Sequence, residues 1–271
     1  MSAFANHFAF EFKSGLRNAT SLLMNYLFPL SFYALMGLVF TQINPGFKDN
    51  LIPAMVIFSA MASSLLGLPG PLVESREAGI YRSFKINGVP AISILAIPAL
   101  STIIHTLIVS ALISVTAIPL FGAGRPVNWV AFALLTLLTV LALGSLGALI
   151  GVIATGTRST VLWSQLIFLP SMLLGGLMMP LDFLPETLRP FASLLPSAHA
   201  MQAMTGLAFG KETIYNPWFS VGVLAASAVL SFGLAIFLFN WDSRNNTRRG
   251  HPLLALLALI PYLVGMFVAG R

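Results

Sequence analysis

Residues 51–90 read LIPAMVIFSAMASSLLGLPGPLVESREAGIYRSFKINGVP, and this stretch decides the class of fold. Its first part, residues 51–72, contains no charged side chain, and about 20 apolar residues suffice for a helix to cross the hydrocarbon core of a bilayer. A run with charges of both signs follows, from Glu74 to Lys85. The change from one run to the other indicates a membrane-spanning helix that ends at an aqueous surface.

The composition of the whole chain supports the same class. Of its 271 residues, 57% are hydrophobic and only 8% are charged, whereas soluble domains carry roughly 25% charged residues. The 22 Gly and 17 Pro are typical of a polytopic membrane protein, since both residues are commoner in membrane helices than in soluble ones. The chain has no Cys, which excludes disulfides, thiolate metal sites and cysteine nucleophiles. We therefore predict an all-α polytopic membrane protein without a soluble catalytic domain.

The order of apolar runs predicts six spans and a candidate seventh. Residues 1–20 alternate Phe with charged side chains, which favours a helix lying in the membrane interface. Spans one and two lie within 21–72, at 21–41 and 51–72, and a cytoplasmic segment, 73–89, follows them. Spans three to five lie within 90–180, at 90–121, 128–154 and 160–180. An outer segment, 181–217, then leads to span six at 218–241 and to the candidate span at 252–269. The last run is short and contains Pro261, so a re-entrant or interfacial hairpin is the alternative there.

The basic residues predict the orientation of the chain. With a cytoplasmic N-terminus, nine basic residues lie inside: Lys13, Arg17, Arg76, Arg82, Lys85, Arg158, Arg244, Arg248 and Arg249. Five lie outside: Lys48, Arg125, Arg189, Lys211 and Arg271. This bias is the one that the positive-inside rule requires. Because these residues occur in ones and twos between spans, they indicate orientation rather than nucleic-acid binding.

Two polar connections have patterns of their own. Residues 73–89 fit a short amphipathic helix that stops at Asn87-Gly88 before Pro90, and a solvated loop that retains positive charge is the alternative. In residues 181–217, prolines recur among leucines and phenylalanines. That pattern favours short re-entrant helices that cap a central cavity from outside, since irregular backbone at membrane depth must face protein or water. An ordinary periplasmic loop is the alternative.

Two segments resemble a known family. ESREAGIYRSFKINGVP (74–90) is similar to the segment after the second span of ABC-2 type export permeases, and LPSMLLGGLMMPLDFLPETLRPFASLLPSAHAMQAMTGL (169–207) resembles their fifth span and re-entrant outer helices. The resemblance covers roughly residues 1–241. It departs from the family at Ala78-Gly79-Ile80, where a Gly-Thr pair is commoner, and in the apolar segment after Arg249.

The resemblance implies a fold, partners and a mechanism. It implies a six-helix exporter core in the plasma (inner) membrane of a prokaryote, with a cytoplasmic coupling helix that docks on separate ABC ATPase subunits. ATP and Mg would then bind to the partner ATPase, with no cofactor on this chain. A second permease copy or a paralogue would complete the complex, which would export a hydrophobic or amphipathic drug, lipid or lipopeptide by alternating access. Membrane lipid would surround it.

The same resemblance assigns candidate site residues. The ATPase-coupling residues would be Glu74, Arg76, Glu77, Gly79, Tyr81, Arg82 and Phe84. Tyr81 and Phe84 would provide the apolar anchor, and the charged side chains would make charge-assisted contacts. Spans one, two and five would line the export path through Asn25, Phe28, Gln165, Phe168 and Met172. Ordinary packing between helices is the alternative reading for each path residue.

The remaining polar motifs exclude other functions. No phosphate-binding G-x-x-x-x-G-K-[ST] string occurs, so we expect no ATP hydrolysis on this chain, and the four His are too dispersed for a metal site. His105 is the ionisable residue within a span, either as an interhelical hydrogen-bond partner or as a proton relay. An ATPase-independent secondary transporter or channel is therefore the alternative function, and a membrane-embedded enzyme ranks below it. Gly147 and Gly151 form a G-x-x-x-G pair that favours close helix packing.

Overall fold

A computed structural model describes residues 3–242 and 250–269, and no strand occurs within these ranges. Arg244, Arg248, Arg249 and Arg271, which the orientation argument used, lie outside the described residues. The helices are α1 (Ala3–Arg17), α2 (Ala19–Ile43), α3 (Pro45–Glu77), α4 (Ile80–Ile86), α5 (Ala91–Phe121), α6 (Trp129–Ile153), α7 (Thr157–Leu174), α8 (Arg189–Ala192), α9 (Pro196–Ala203, continuing as Met204–Ala208), α10 (Pro217–Leu238) and α11 (Pro252–Leu259, continuing as Ile260–Ala269). The all-α prediction is confirmed.

Five of these helices are long and apolar enough to cross a membrane, namely α2, α3, α5, α6 and α10. The predicted span at 160–180 corresponds to α7, which has 18 residues and ends at Leu174, before Gly175 and Gly176. Gly176 has φ +85°, a left-handed conformation that ends a regular helix. Arg158 and several hydroxyl and amide side chains make α7 less apolar than the five long helices.

Helix α3 lies at the centre of the bundle. Every residue from 51 to 65 is buried, because the helix is apolar on all sides and other helices surround it. It packs against α5 on one side and α6 on another. The contact with α6 is close, since a Cβ at Gly147 would overlap the backbone carbonyl of Ser64. The G-x-x-x-G pair therefore packs within this chain.

The C-terminal segment runs alongside α10. It begins as a 3-10 helix, Pro252–Leu259, and continues as an α-helix, Ile260–Ala269, with no reversal between them. At rises of about 2.0 and 1.5 Å per residue the two pieces extend roughly 31 Å, close to the thickness of a hydrocarbon core of about 30 Å. Tyr262 is buried and donates a hydrogen bond to Ser227 Oγ of α10 at 2.7 Å. The described residues thus form one continuous run here rather than a hairpin.

The two ends of the bundle carry the shorter elements. Helix α1 packs on α5, where the Phe12 and His105 rings stack with centroids 4.4 Å apart. Its Phe4 and Phe10 are exposed, as an interfacial helix requires. At the opposite end the 181–217 segment folds into the short helices α8 and α9, and every residue of Pro196–Ala203 is buried. This segment packs as a cap on the bundle rather than as an extended loop.

Candidate functional site

The predicted coupling segment is divided into two helical pieces. Glu74, Arg76 and Glu77 belong to the last turns of α3, and α4 begins after Gly79. Gly79 has φ +75°, a conformation that costs an L-residue roughly 1–2 kcal/mol. The expectation of one helix over 74–88 is therefore corrected, whereas the end of α4 at Ile86, before Asn87-Gly88, agrees with it.

Arg76 faces the interior of the protein. It is 7% exposed, and its guanidinium donates hydrogen bonds to the carbonyl oxygens of Gly151 at 3.3 Å, Val152 at 2.7 Å and Ala154. The last carbonyl groups of a helix have no partner within it, and a cation at that end also offsets the helix dipole. Arg76 thus joins the end of α3 to the end of α6. These bonds lie within the chain, and the predicted ATPase contact of Arg76 stays a prediction.

Tyr81 and Phe84 also pack inward. Tyr81 is 5% exposed, and its ring centroid lies 5.6 Å from that of Phe239, just after α10. Burial raises the pKa of Tyr81 well above its usual value, against the opposing effect of nearby Arg76. Phe84 is half-buried and lies 5.2 Å from the His7 ring of α1. These two rings therefore attach α4 to α1 and to the end of α10, and their role as an anchor for the ATPase stays a prediction.

The exposed surface of α3 and α4 consists of other residues. Following the predicted orientation, we give the name cytoplasmic surface to six exposed residues there: Glu74, Glu77, Ile80, Arg82, Lys85 and Ile86. Ile86 is 86% exposed and Ile80 is 45% exposed. Arg82 also forms an ion pair with Asp242 at 2.6 Å. Neither isoleucine was among the predicted site residues, although the helical spacing held a signal. Ile86 lies five residues after Tyr81 and two after Phe84, which places it on another face.

The cytoplasmic surface adjoins the fifth predicted span. A Cβ at Gly156, just before α7, would lie 3.3 Å from Glu77 Oε1, so this carboxylate is next to the first turn of α7. A negative charge is favourable at the N-terminus of a helix. The end of α3 thus contacts the end of α6 through Arg76 and the start of α7 through Glu77.

An aromatic cluster joins α2, α3 and α7 within the bundle. Phe28 and Phe168, both predicted path residues, lie with ring centroids 6.4 Å apart, and Phe58 of α3 lies 5.3 Å from the first and 5.8 Å from the second. Phe32 stacks on Phe58 at 4.1 Å. The structure therefore brings together the three spans that the resemblance selected. Phe58 and Phe32 were missed, because nothing in their spacing distinguishes them from other apolar residues of a span.

Polar atoms without partners are concentrated on these same three helices. Within the described ranges, six buried side-chain oxygens there accept and donate no hydrogen bond: Asn25 Oδ1, Ser63 Oγ, Ser64 Oγ, Ser164 Oγ, Gln165 Oε1 and Ser171 Oγ. Asn25 lies in a π-helical stretch, Leu23–Leu27, that packs against a second one, Ala62–Gly67. Such π-bulges occur frequently at functional sites. Met172 is half-buried against the main core, and its part in a path stays a prediction.

His105 is bonded within the bundle. Its Nδ1 lies 2.6 Å from the Tyr26 hydroxyl of α2, and its ring stacks on Phe12. This is the interhelical hydrogen-bond partner that the sequence analysis considered beside a proton relay. Among the described residues no group of His, Asp and Glu has the arrangement of a metal site.

Several long apolar helices around a central buried helix define a multi-pass membrane protein. The chain belongs to the ABC-2 type transporter family, because the family model described as "ABC-2 type transporter" matches residues 4–209. The chain is also similar to "Putative transport permease YvfS" of Bacillus subtilis (strain 168), with 27% identity over 199 residues, 70% of this chain and 78% of that protein. No solved structure matches the chain. It is therefore a transmembrane transport permease, a subunit type that is not itself catalytic.

Proposed function

We propose that this chain is the permease subunit of an ATP-driven exporter, powered by separate ATPase subunits that bind ATP and Mg. A second permease copy or a paralogue completes the complex. The observation that carries the proposal is the continuity of α3, which contains Phe58 of the aromatic cluster and ends at Glu77 on the cytoplasmic surface. Glu77 follows Phe58 by 19 residues, which corresponds to about 28 Å of helix. A force applied at the cytoplasmic surface thus reaches the cluster along α3, through the π-helical stretch Ala62–Gly67 and a bend at Leu68.

The contacts of Glu77 and Arg76 suggest how that force is distributed. The ATPase dimer closes on ATP and presses on Ile86 and the charged residues around it. Because α3 is tied to α6 by Arg76 and touches the start of α7 through Glu77, these three helix ends move together. Their movement changes how Phe28, Phe58 and Phe168 pack, and this switches the path from inward-open to outward-open.

The proposed orientation and cargo follow from charge and polarity. The excess of basic residues at the α3–α4 end supports a cytoplasmic N-terminus, and we propose the plasma membrane of a prokaryote as the location. The cluster around Phe58 contains aromatic rings, and the nearby polar groups of Asn25 and Gln165 are uncharged. A strongly ionic cargo would lose its hydration there without an equivalent partner. A hydrophobic or amphipathic molecule is therefore the proposed cargo.

The experiment that tests the proposal is purification of the tagged chain from its native membrane in mild detergent, followed by measurement of ATP hydrolysis in the eluate. Ile86→Asp introduces a charge at the most exposed apolar side chain of the cytoplasmic surface, so we expect bound ATPase activity to fall roughly tenfold or more. Glu77→Ala should leave the ATPase bound and reduce export per ATP hydrolysed. Arg76 is unsuitable here because its loss removes bonds within the chain.

Val127→Asp is the matched control, since Val127 is 79% exposed in the loop between α5 and α6, at the opposite end of the bundle. It should leave the bound ATPase activity unchanged. If Ile86→Asp and Val127→Asp lose the same amount of bound ATPase activity, this result contradicts the proposed docking surface. The absence of any co-purifying ATPase, both in detergent and in nanodiscs, contradicts the ATP-driven mechanism and favours a secondary transporter or channel.

A further inference from the structure

A polar cleft opens where α1 meets α2, α3 and α5. Its cavity has a volume of about 80 Å³, and its lining includes Glu11, Asn25, Gly67, Ser101, Thr102 and His105. These residues come from four helices, α1, α2, α3 and α5. The cleft lies beside the aromatic cluster, because Asn25 and Phe28 are one turn apart on α2.

Asn25 presents an unused acceptor at this cleft. The residue is 6% exposed, and its Oδ1 has no hydrogen-bond partner among the described residues. A Cβ at Gly67 would lie 3.2 Å from this oxygen, so the carbonyl group faces α3 across a position where glycine leaves space. A buried amide oxygen without a partner is costly, and an N–H donor that entered the cleft would remove that cost.

Glu11 contributes a carboxylate at the same cleft. It is half-buried, and no Lys or Arg of the described ranges forms an ion pair with it. Burial raises the pKa of Glu11, and nearby His7 opposes this effect. Lys13 and Arg17, the basic residues of the same helix, are exposed. The ionised carboxylate would therefore be stabilised by a cation that arrives from outside the chain.

We propose that this cleft binds the primary ammonium group of an amphipathic molecule, with Glu11, Asn25 Oδ1 and the Ser101 hydroxyl as its acceptors. A primary ammonium carries three N–H donors, which matches these three acceptors, whereas a quaternary ammonium carries none. The apolar part of the molecule extends toward Phe28 and the aromatic cluster. This inference rests on the proposed function, since it names the chemical class of cargo that enters the export path.

The test is a binding measurement on the full chain in phosphatidylcholine nanodiscs, which contain no primary amine. Thermal unfolding is followed as dodecylamine is added at neutral pH, where an amine with a pKa near 10 is protonated. Dodecyltrimethylammonium, which has the same chain and charge, is the matched ligand. We expect dodecylamine to bind roughly tenfold more tightly than its trimethyl analogue, and Glu11→Gln to remove this preference.

Two further variants keep the test decisive. Asn25→Leu keeps the branching at Cγ and removes the acceptor, so it should weaken dodecylamine binding even if Glu11→Gln unfolds. Glu186→Gln is the control, because it makes the same chemical change as Glu11→Gln at an exposed carboxylate of the outer segment. This variant should bind both ligands as the unaltered chain does. Equal binding of the two ligands, or an unchanged preference in both Glu11→Gln and Asn25→Leu, overturns the proposal.

A second series identifies the source of the ammonium group. Phosphatidylethanolamine replaces part of the phosphatidylcholine, and stabilisation that depends on Glu11 then assigns the cleft to a lipid headgroup. Stabilisation by dodecylamine alone assigns it to a cargo. The result is independent of the ATPase experiment, because binding needs no partner chain: a permease that binds the amine and recruits no ATPase contradicts only the proposed function.

Discussion

Gly79 is the residue at which α3 ends and α4 changes direction. A Cβ at this position would meet no atom within 4 Å, so an Ala there has enough space. Only the left-handed backbone conformation, with φ +75°, is unfavourable for Ala. We expect Gly79→Ala to destabilise this junction by about 1–2 kcal/mol and to lower the ATPase activity bound to the purified chain, because α4 can no longer be held in its present direction. Thermal unfolding of the purified chain and the co-purified ATPase activity are the two measurements.

Gly233 provides the matched control for Gly79. It too has open space around its Cβ position, but it lies inside α10 without a positive φ. Gly233→Ala should therefore raise stability by roughly 0.5–1 kcal/mol, the ordinary gain of Ala over Gly within a helix. Equal effects at the two positions would show that backbone conformation does not distinguish them, which contradicts the predicted role of Gly79.

Arg76 and Tyr81 show the limit of sequence interpretation at this scale. The alternation of charged and apolar residues predicts a polar segment after the second span, but it does not tell whether a side chain points toward a partner protein or into its own bundle. The acceptors of Arg76 are backbone carbonyls of Gly151, Val152 and Ala154, and backbone groups carry no sequence signature. The inward contact could not be predicted without knowing that α6 ends beside α3.

The packing of α6 on α3 provides a prediction for a pair of helices. A Cβ at Gly147 would overlap the Ser64 carbonyl, which belongs to the backbone and cannot move alone, whereas a Cβ at Gly144 would lie 3.9 Å from Ser64 Oγ in ordinary contact. We expect Gly147→Ala to separate the helices and cost about 1–3 kcal/mol of stability. Gly144→Ala should be neutral or slightly stabilising. Thermal unfolding of the two variants in the same detergent measures the difference.

This comparison also tests where the glycine pair acts. If Gly147→Ala unfolds at the same temperature as the unaltered chain but loses association with a second permease copy, then Gly147 packs between subunits. Loss of thermal stability in the single chain supports the contact with α3. The sequence alone does not distinguish a contact with α3 from a contact with a second subunit. Small residues four positions apart indicate that two helices approach closely, but they do not identify the partner helix.

Helix ends were predicted best where the membrane itself determines them. The runs 90–121 and 128–154 match Ala91–Phe121 and Trp129–Ile153 within a residue. The run 51–72 was too short, because Pro45–Glu77 continues into polar residues at both ends. Charged side chains end a hydrophobic run without ending a helix, and it is Gly79 that stops α3. In the run 160–180, Gly175 and Gly176 stop α7 before the apolar sequence does.

At the scale of the whole molecule, the sequence does not state which helices are neighbours. Family resemblance grouped spans one, two and five, and the rings of Phe28, Phe58 and Phe168 lie together in the structure. Apolar periodicity alone could not supply this grouping, because each of these helices has apolar residues on several faces. The cleft of Glu11 and Asn25 was equally hidden, since it forms only when α1 folds back onto α5.

The absence of cysteine makes the orientation of the whole molecule directly measurable. Ser83→Cys places a thiol on the exposed side of α4, and Val127→Cys places one in the loop at the other end of the bundle. Because basic residues are concentrated at the α4 end, we expect a membrane-impermeant maleimide to label Val127→Cys in intact cells and Ser83→Cys only after permeabilisation. The unaltered chain is the control without a thiol. Labelling of Ser83→Cys in intact cells would put α4 outside, where no cytoplasmic ATPase could bind it, and would contradict both the orientation and the coupling mechanism.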